Sequence, residues 1–246
     1  MNHNYLLSLF LLALTSNVFS QETDGFQSNV NAGFTLTNGN SDTTMLILGA
    51  ASKKIEEKQE TLFSASYEYG QTTDTNNQGV KTETTNTDRA KAEVQSNWLL
   101  SKKVYTFYNL TAERDTKTKL DYRVTNGPGF GYYFLRNDDY LLSTESSVVY
   151  VLEDLDGSSD DYAAFRLAQK FEHTFVNGAK IWQSVETLFE FSDLDQYSFN
   201  AEIGAEAKLS GNLSLRVVLK DKYDNAPAKD VEKNDLTFIS GISVRI

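Results

Sequence analysis

The stretch LTFISGISVRI, residues 236–246, decides the fold of this chain. Apolar side chains alternate along it with small or polar ones, and the run ends on Ile246 at the carboxyl terminus. A period of two residues is typical of a β-strand with one apolar face. In outer-membrane β-barrels, this alternation turns one face of each strand to the lipid and the other to the lumen. We therefore predict that this stretch is the last strand of such a barrel.

The same alternation recurs along most of the chain and predicts twelve strands. It is clearest at residues 197–207, where Phe199 and Ile203 fall on one face and Glu202 and Glu206 on the other. Most of the predicted strands have about 10–13 residues, which is enough to cross the hydrocarbon core of a membrane at a tilt. The predicted fold class is all-β: an antiparallel up-and-down transmembrane β-barrel of about twelve strands, occupying residues 21–246.

Connection lengths and aromatic positions favour a membrane barrel over a soluble one, in which the apolar faces would point inward. The longest polar connections are predicted on the outer side, at residues 71–88, 153–161 and 224–235. Tight connections are predicted on the inner side, at residues 101–103, 135–139, 175–179 and 208–212. A further turn is predicted at Asn38-Gly39-Asn40-Ser41. Long outer loops and short inner turns are typical of outer-membrane barrels.

Aromatic side chains form two predicted belts near the strand ends. One belt contains Phe26, Trp98, Tyr105, Phe134, Tyr140, Phe171 and Phe175, and the other contains Tyr67, Tyr69, Tyr122, Tyr150, Tyr162, Phe191, Tyr197 and Tyr223. Belts of this kind are typical of the two interfaces between a membrane and water.

Residues 1–20 have the pattern of a cleaved signal peptide. An apolar run covers residues 5–14, and Val18, Phe19 and Ser20 precede the predicted cleavage site. The segment lacks the Lys or Arg that usually opens such a leader. An uncleaved anchor is the alternative, but the apolar run is short for a span that needs about 20 residues. We therefore expect export and a location in the cell outer membrane.

Composition argues against several classes of function. The net charge of −11 falls wholly in residues 21–246 and disfavours binding to nucleic acid, which needs a basic surface. The chain has no cysteine, which excludes disulfides and thiolate chemistry. Only His3 and His173 could take the proton from a catalytic serine, but His3 lies in the predicted signal peptide and His173 is expected at the rim of a strand. We therefore predict no catalytic residues, no transition-metal site and no cofactor.

The inner wall is the best candidate for a functional surface. Strand parity places equal numbers of basic and acidic side chains toward the lumen. The basic ones are Arg89, Lys91, Arg123, Arg166, Lys170, Arg216, Lys220 and Arg245, and the acidic ones are Glu68, Glu93, Asp121, Glu172, Glu186, Glu190, Glu202 and Glu206. A balanced interior can form ion pairs that plug a small barrel, or it can line a narrow aqueous path. The net negative charge then falls on loops and rims, where it attracts cations.

The acidic segment at residues 153–161 is a weak candidate for binding calcium, through Asp154, Asp156 and Asp160. It lacks the ligand spacing of an EF-hand, so a solvated outer loop is the simpler interpretation.

Gly127, Gly129 and Gly131 lie on one face of a predicted strand. No helix start follows them, which disfavours a phosphate site. We expect them to bend the wall or to make room for a bulky neighbour such as Arg123.

Three short motifs, taken in order and spacing, resemble a family of bacterial outer-membrane proteins. They are GFTLTNGNS at residues 33–41, NGPGFGYY at residues 126–133 and KYDNAP at residues 222–227. The sequence resembles the YdiY-like family of salt-induced outer-membrane proteins, whose function is unknown, over nearly all of the chain after residue 20. The resemblance implies an outer-membrane location and implies no catalytic residues. The last residue, Ile246, departs from the Phe that usually ends such barrels.

These patterns together favour a non-enzymatic outer-membrane barrel that serves as a narrow pore or as a structural component of the envelope. The resemblance adds a link to the response to salt or osmotic conditions. Expected partners are outer-membrane lipid, the barrel-assembly machinery through the C-terminal strand, and small cations. Two alternatives stay open: a barrel enzyme that acts on lipid or polymer, and a soluble periplasmic β-barrel that binds an apolar ligand.

Overall fold

A computed structural model describes residues 25–37, 41–75 and 81–246 of the chain. Its twelve antiparallel strands form one closed barrel in sequence order, with β12 beside β1. The strands are β1 (Phe26–Thr37), β2 (Ser41–Ile55), β3 (Gln59–Thr75), β4 (Lys81–Leu99), β5 (Val104–Asp115), β6 (Leu120–Arg136), β7 (Tyr140–Leu155), β8 (Ser158–Thr174), β9 (Lys180–Glu190), β10 (Tyr197–Ser210), β11 (Leu213–Asp224) and β12 (Asn234–Arg245). The predicted fold class and number of strands are confirmed. The predicted signal peptide and residues 38–40 of the predicted first turn lie outside the described residues.

Side chains alternate between the two faces of the barrel wall, as the two-residue period of a strand requires. Large apolar side chains point outward, and Phe130 and Phe238 are 64% and 63% exposed. Charged and polar side chains such as Glu68, Arg89 and Asn109 are buried inside the barrel. A soluble barrel would show the opposite arrangement. Among the described residues there is no helix with the length and apolarity needed to span a membrane.

The two ends of the barrel have different connections. We name the end where β1 begins and β12 ends the base end, and the opposite end the loop end. The connections at the base end are tight turns, as predicted, and the longest connection at the loop end, residues 225–233, nearly matches the predicted one. A single turn of 3₁₀ helix, Thr116–Thr118, joins β5 to β6 at the loop end.

Two of the long outer loops predicted from sequence are wrong. Most of residues 71–88 is strand, because β3 continues to Thr75 and β4 begins at Lys81. Residues 153–161 form a tight hairpin that turns at Asp156 and Gly157, both with positive φ, 55° and 76°. Positive φ at both central residues is the requirement of a two-residue hairpin turn. Apart from Leu155, the residues that extend these strands are polar or glycine, so they carry no apolar alternation that a sequence pattern could detect.

Two aromatic residues assigned to the belts face the lumen instead. Tyr105 lies on the inner face of β5 and is 1% exposed. Tyr162 lies on the inner face of β8, and its hydroxyl donates a hydrogen bond to Glu153 Oε2 at 3.3 Å. The belts were assigned from closeness to a strand end, which does not distinguish the two faces of a strand. Tyr105 is an even number of residues from Asn109, and Tyr162 from Arg166, so the two-residue period would have placed both on the inner face.

Candidate functional site: the charged lumen

A buried ionic cluster occupies the lumen near the loop end. Arg89 on β4 is its centre, with its Nε 2.5 Å from Asp115 Oδ2 and its Nη1 3.3 Å from Glu68 Oε2. Its Nη2 donates to Asp235 Oδ2 at 2.8 Å, and Lys220 Nζ lies 2.7 Å from Glu68 Oε1. We name these five residues the loop-end cluster. Arg89, Glu68 and Asp115 are all buried, so their charges depend on one another for compensation.

Several contacts of this cluster join strands that are not neighbours in the barrel. Arg89 on β4 reaches Asp235 on β12, and Lys220 on β11 reaches Glu68 on β3. Lys222 on β11 lies 3.8 Å from Asp115 on β5, on the opposite side of the ring. The lumen is therefore crossed by ion pairs at this level.

The connection that follows β11 is held over the same end. Lys117, in the connection between β5 and β6, places its Nζ 2.7 Å from Asp235 Oδ1. Lys119 Nζ donates to the backbone oxygen of Lys229 at 2.9 Å. Lys119 thus links the β11–β12 connection to the opposite rim, and Lys117 links the start of β12 to it.

A second group of ion pairs lies at mid-height. Arg166 on β8 bridges Glu145 on β7 and Glu186 on β9, with N–O distances of 3.1 and 2.6 Å. Gln95 on β4 donates to Glu145 Oε1 at 2.8 Å and so reaches across three strand positions. Ion pairs and hydrogen bonds therefore join side chains of the lumen at mid-height as well.

Arg123 on β6 lies nearer the loop end, three residues after the start of its strand. Its Nε lies 2.5 Å from Glu153 Oε2, and its Nη1 lies 3.7 Å from Glu113 Oε1. Asn109 Nδ2 donates to Glu93 Oε1 at 2.8 Å.

Aromatic rings narrow the lumen nearer the base end. Tyr105 and Tyr133 stack with ring centroids 4.6 Å apart. Tyr133 donates to Glu60 Oε2 at 2.8 Å, and Arg136 hydrogen-bonds Glu60 while its guanidinium lies 4.5 Å from the Tyr133 ring centroid. The Tyr105 hydroxyl donates to Glu145 Oε1 at 2.9 Å. The rings are therefore fixed by hydrogen bonds at their polar ends.

The glycine row of β6 makes room for these rings. A Cβ at Gly131 would lie 2.0 Å from the Tyr105 ring, and a Cβ at Gly129 would lie 2.4 Å from the Phe107 ring. The sequence analysis expected these glycines to make room for a bulky neighbour such as Arg123. The space is filled instead by the rings of Tyr105 and Phe107.

One aromatic–ionic group lies on the opposite wall. Trp182 Nε1 donates to Glu202 Oε1 at 2.6 Å. The guanidinium of Arg216 lies 4.4 Å from the Trp182 ring centroid and 3.8 Å from Glu202 Oε1. Gly204 permits this arrangement, because a Cβ there would lie 2.0 Å from the Trp182 ring.

The structure places the sequence-derived lumen residues in three ways. Nine of them make the contacts described above: Glu68, Arg89, Glu93, Arg123, Arg166, Glu186, Glu202, Arg216 and Lys220. Lys91, Glu190 and Glu206 share the same inner faces, and Lys170, Glu172 and Arg245 lie toward the base end, where Glu172 pairs with Lys180 at 2.6 Å. Asp121 is exposed at a β-bulge between Leu120 and Tyr122, which removes it from the simple parity of β6.

Several charged residues of the lumen were absent from the sequence-derived set: Glu60, Glu113, Asp115, Arg136, Glu145, Glu153, Lys222 and Asp235. Parity could have identified Glu145 and Glu113, because each lies two residues from a polar inner-face neighbour. Asp235 was assigned to a loop, and Glu60 precedes the apolar alternation of β3, so neither carried a usable signal.

The acidic segment does not assemble a calcium site. Asp154 accepts from Ser159 Oγ at 2.8 Å, Asp156 pairs with Lys119 at 3.2 Å, and Asp160 accepts from a neighbouring backbone N–H. Residues 25–37, 41–75 and 81–246 contain no cluster of three His, Cys, Asp or Glu side chains arranged for a metal ion.

His173 lies in an aromatic stack at the base rim. Its ring centroid is 4.2 Å from those of Tyr140 and Phe175. Its Nδ1 lies 3.1 Å from the backbone oxygen of Asp139. This position agrees with the expectation that it is a rim residue.

Comparisons with known proteins give one family and a set of similar folds. The family model described as "Protein of unknown function, DUF481" matches residues 30–245. No curated protein matches the chain. The fold is similar to that of NanC porin, at 9% identity and a TM-score of 0.53, covering 89% of this chain and 100% of that one.

Two further solved structures are similar at lower scores. KdgM porin matches at 10% identity and a TM-score of 0.44, covering 89% of this chain and 98% of that one. The translocator domain of autotransporter NalP from Neisseria meningitidis matches at 10% identity and a TM-score of 0.44, covering 99% of this chain and 96% of that one. At these identities the likeness concerns the fold alone.

Proposed function

We propose that this chain, which belongs to the DUF481 family of proteins of unknown function, forms a narrow, charged pore for small ions in the outer membrane. The observation that carries the proposal is the lumen itself, which is lined by charged side chains inside a wall whose outer face is apolar. Charged rings and narrow polar passages are what channels use to select and retard ions. The proposal needs no catalytic residue.

The cross-lumen ion pairs explain why the pore should be narrow. Arg89–Asp235 and Lys220–Glu68 join opposite parts of the wall, and the Tyr105–Tyr133 stack projects into the lumen nearer the base end. A barrel of twelve strands is intermediate between filled barrels of about 8 strands and open porins of about 16. Ions must therefore pass between bridged side chains.

Removing the carboxylate of Asp235 should widen this path. The Asp235→Ala change deletes the contacts to Arg89 and Lys117, while Arg89 keeps Glu68 and Asp115 as partners. We expect a small unitary conductance for the unchanged protein in planar bilayers, and an increase of about twofold or more in the variant, because conductance is limited by the narrowest section.

The matched control is Asp88→Ala, which removes a carboxylate on the outer wall paired with Arg114 at 3.0 Å. Its conductance should equal that of the unchanged protein. Folded protein is identified beforehand by heat-modifiable gel migration. Silent bilayers for the folded unchanged protein and for the Asp235→Ala variant would contradict a pore and favour a plugged, structural barrel.

The proposed link to salt rests on the same contacts. The Lys117 and Asp235 side chains are 47% and 19% exposed, so their ion pair is accessible to screening. Because the Debye length falls to about 3 Å at 1 M salt, we expect conductance divided by bulk conductivity to rise with salt in the unchanged protein. In the Asp235→Ala variant this ratio should be flat, and a flat ratio in both proteins would remove the link.

The remaining proposed partners follow from the two rims and the last strand. Carboxylates at the loop end, including the exposed Asp156 and Asp160 and the half-buried Asp154, would concentrate small cations at the entrance. The apolar outer wall would contact outer-membrane lipid. We also propose that β12 is the strand recognised by the barrel-assembly machinery after export through a cleaved signal peptide.

A further inference from the structure

Two glutamines lie on the lipid-facing wall of the barrel. Gln169 on β8 is two residues from Leu167, and Gln183 on β9 is two residues from Ile181, so both share the outer face with these exposed apolar side chains. The register of β8 and β9 makes the two glutamines diagonal neighbours. Thr144 on β7 lies directly opposite Gln169. We name Thr144, Gln169 and Gln183 the polar patch.

Gln169 lies at mid-height of this wall. It is four residues from His173, which belongs to the aromatic stack of the base rim. It is also four residues from Phe165, which pairs with Phe189 beside the Tyr197 ring near the loop end. Aromatic belts mark the two interfaces between a membrane and water. The Gln169 amide is therefore in the hydrocarbon, about as far from water as this wall allows.

The amides of the polar patch have no hydrogen-bond partner within the part of the chain that the structure describes. A glutamine side chain carries one acceptor oxygen and two N–H donors, and hydrocarbon satisfies neither. Two other polar pairs of the outer wall are satisfied within the chain. The Tyr108 hydroxyl donates to Asn126 Oδ1 at 2.9 Å, and Ser28 Oγ lies 2.9 Å from Ser52 Oγ. The polar patch is thus the part of this wall that gains most from a polar partner.

The wall beside the polar patch allows another wall to come close. On β10, Ala201 and Ala205 face outward together with Ile203. An apolar groove of about 370 Å³ lies over Gly204 and Ala205, with Gln183 among the residues that line it. In membranes, small residues let protein surfaces pack closely, and polar side chains then hydrogen-bond across the contact. The face formed by β8, β9 and β10 has both features.

We propose that this face is the contact between two copies of the chain in the membrane. Copies inserted in the same direction are related by a two-fold axis along the membrane normal, so side chains of equal height meet. An amide is both donor and acceptor, so the polar patch of one copy complements the patch of the other. Lipid chains offer no such complement. The contact lies on the outer wall and does not depend on ion flow through the lumen.

The first test measures association after the amides are removed. The chain has no cysteine, so Lys102→Cys in an exposed base-end turn provides one site for a donor or an acceptor dye. Energy transfer in phosphatidylcholine vesicles, over a range of protein-to-lipid ratios, gives the apparent Kd of the dimer. Gln169→Leu combined with Gln183→Leu keeps the wall apolar and should raise this Kd about tenfold or more, which corresponds to about 1.4 kcal/mol.

The matched control is Asn126→Leu, which removes an outer-wall amide that Tyr108 already satisfies. Its Kd should equal that of the otherwise unchanged labelled protein. A labelled protein that stays monomeric at every ratio would overturn the proposal. So would an equal Kd with and without the two glutamines, or an increase that Asn126→Leu reproduces.

A second test asks which wall forms the contact and leaves most of the patch in place. Gln169→Cys and Leu48→Cys are made separately. Leu48 is 42% exposed at mid-height of β2, six positions from β8 around the ring of twelve strands. Oxidation by copper phenanthroline in vesicles should join most of the Gln169→Cys protein into disulfide-linked dimers and little of the Leu48→Cys protein. Equal cross-linking of the two would overturn the proposal.

Conductance separates this proposal from the pore. The double leucine variant leaves every lumen side chain in place, so the conductance of each barrel should not change. A dimer with silent barrels would contradict the pore alone, and conducting barrels that never associate would contradict the contact alone.

Discussion

Replacing Arg89 by methionine should destabilise the barrel by about 3–5 kcal/mol, the loss typical when one partner of a buried ion pair is removed. Methionine has a similar volume but no charge, so it leaves Asp115 and Glu68 buried in the lumen without their central cation. Lys220 still contacts Glu68 at 2.7 Å, but the remaining cation near Asp115, Lys222, is 3.8 Å away. The unfavourable term is the uncompensated burial of these carboxylates rather than the loss of a single attraction.

Unfolding in urea, followed by heat-modifiable gel migration in vesicles, measures this effect. The matched control is Arg114→Met on the same rim, because the Arg114 side chain is 52% exposed and points away from the lumen. Removal of the Arg114 charge should lower the free energy of unfolding by at most about 1 kcal/mol. A second substitution, Asp115→Asn, should restore part of the stability of the Arg89→Met protein. Equal unfolding midpoints for Arg89→Met and Arg114→Met would contradict the role assigned to Arg89.

The strand pattern of this chain could be predicted because each wall residue meets one of two environments. Phe199 and Ile203 face outward and Glu202 and Glu206 face inward, and a period of two records this division directly. Parity failed at Asp121, where a bulge inserts one residue and shifts the faces. It also gave no signal in the extensions of β3, β4, β7 and β8, whose residues are nearly all polar.

The partners of the lumen side chains could not be predicted from the sequence. Arg89 and Asp235 are far apart in the chain, and their contact depends on the strand tilt and stagger that close the ring. Alternation fixes which face a residue occupies but not its height in the barrel or what lies opposite.

The glycines of β6 allow the rings of β5 to lie close to the wall, so adding a side chain at one of these glycines should have a large effect on stability. Gly131→Ala adds a methyl group where the Tyr105 ring now lies, 2.0 Å from the new Cβ. The ring must move away from the wall and lose its stacking on Tyr133 or its hydrogen bond to Glu145. Overpacking of this kind should destabilise the barrel by about 1–3 kcal/mol, measured by urea unfolding as for Arg89.

A matched glycine shows whether the ring is the cause. At Gly49, also on an inner face, the three atoms nearest the added Cβ all belong to the amide end of Asn31, which can rotate aside, so Gly49→Ala should have little effect. Combining Gly131→Ala with Tyr105→Ala removes the clash together with the ring. The double variant should therefore be more stable than the sum of the single effects predicts, by about 0.5–3 kcal/mol. Strict additivity would mean that Gly131 is required by the backbone of β6 and not by the ring that narrows the lumen.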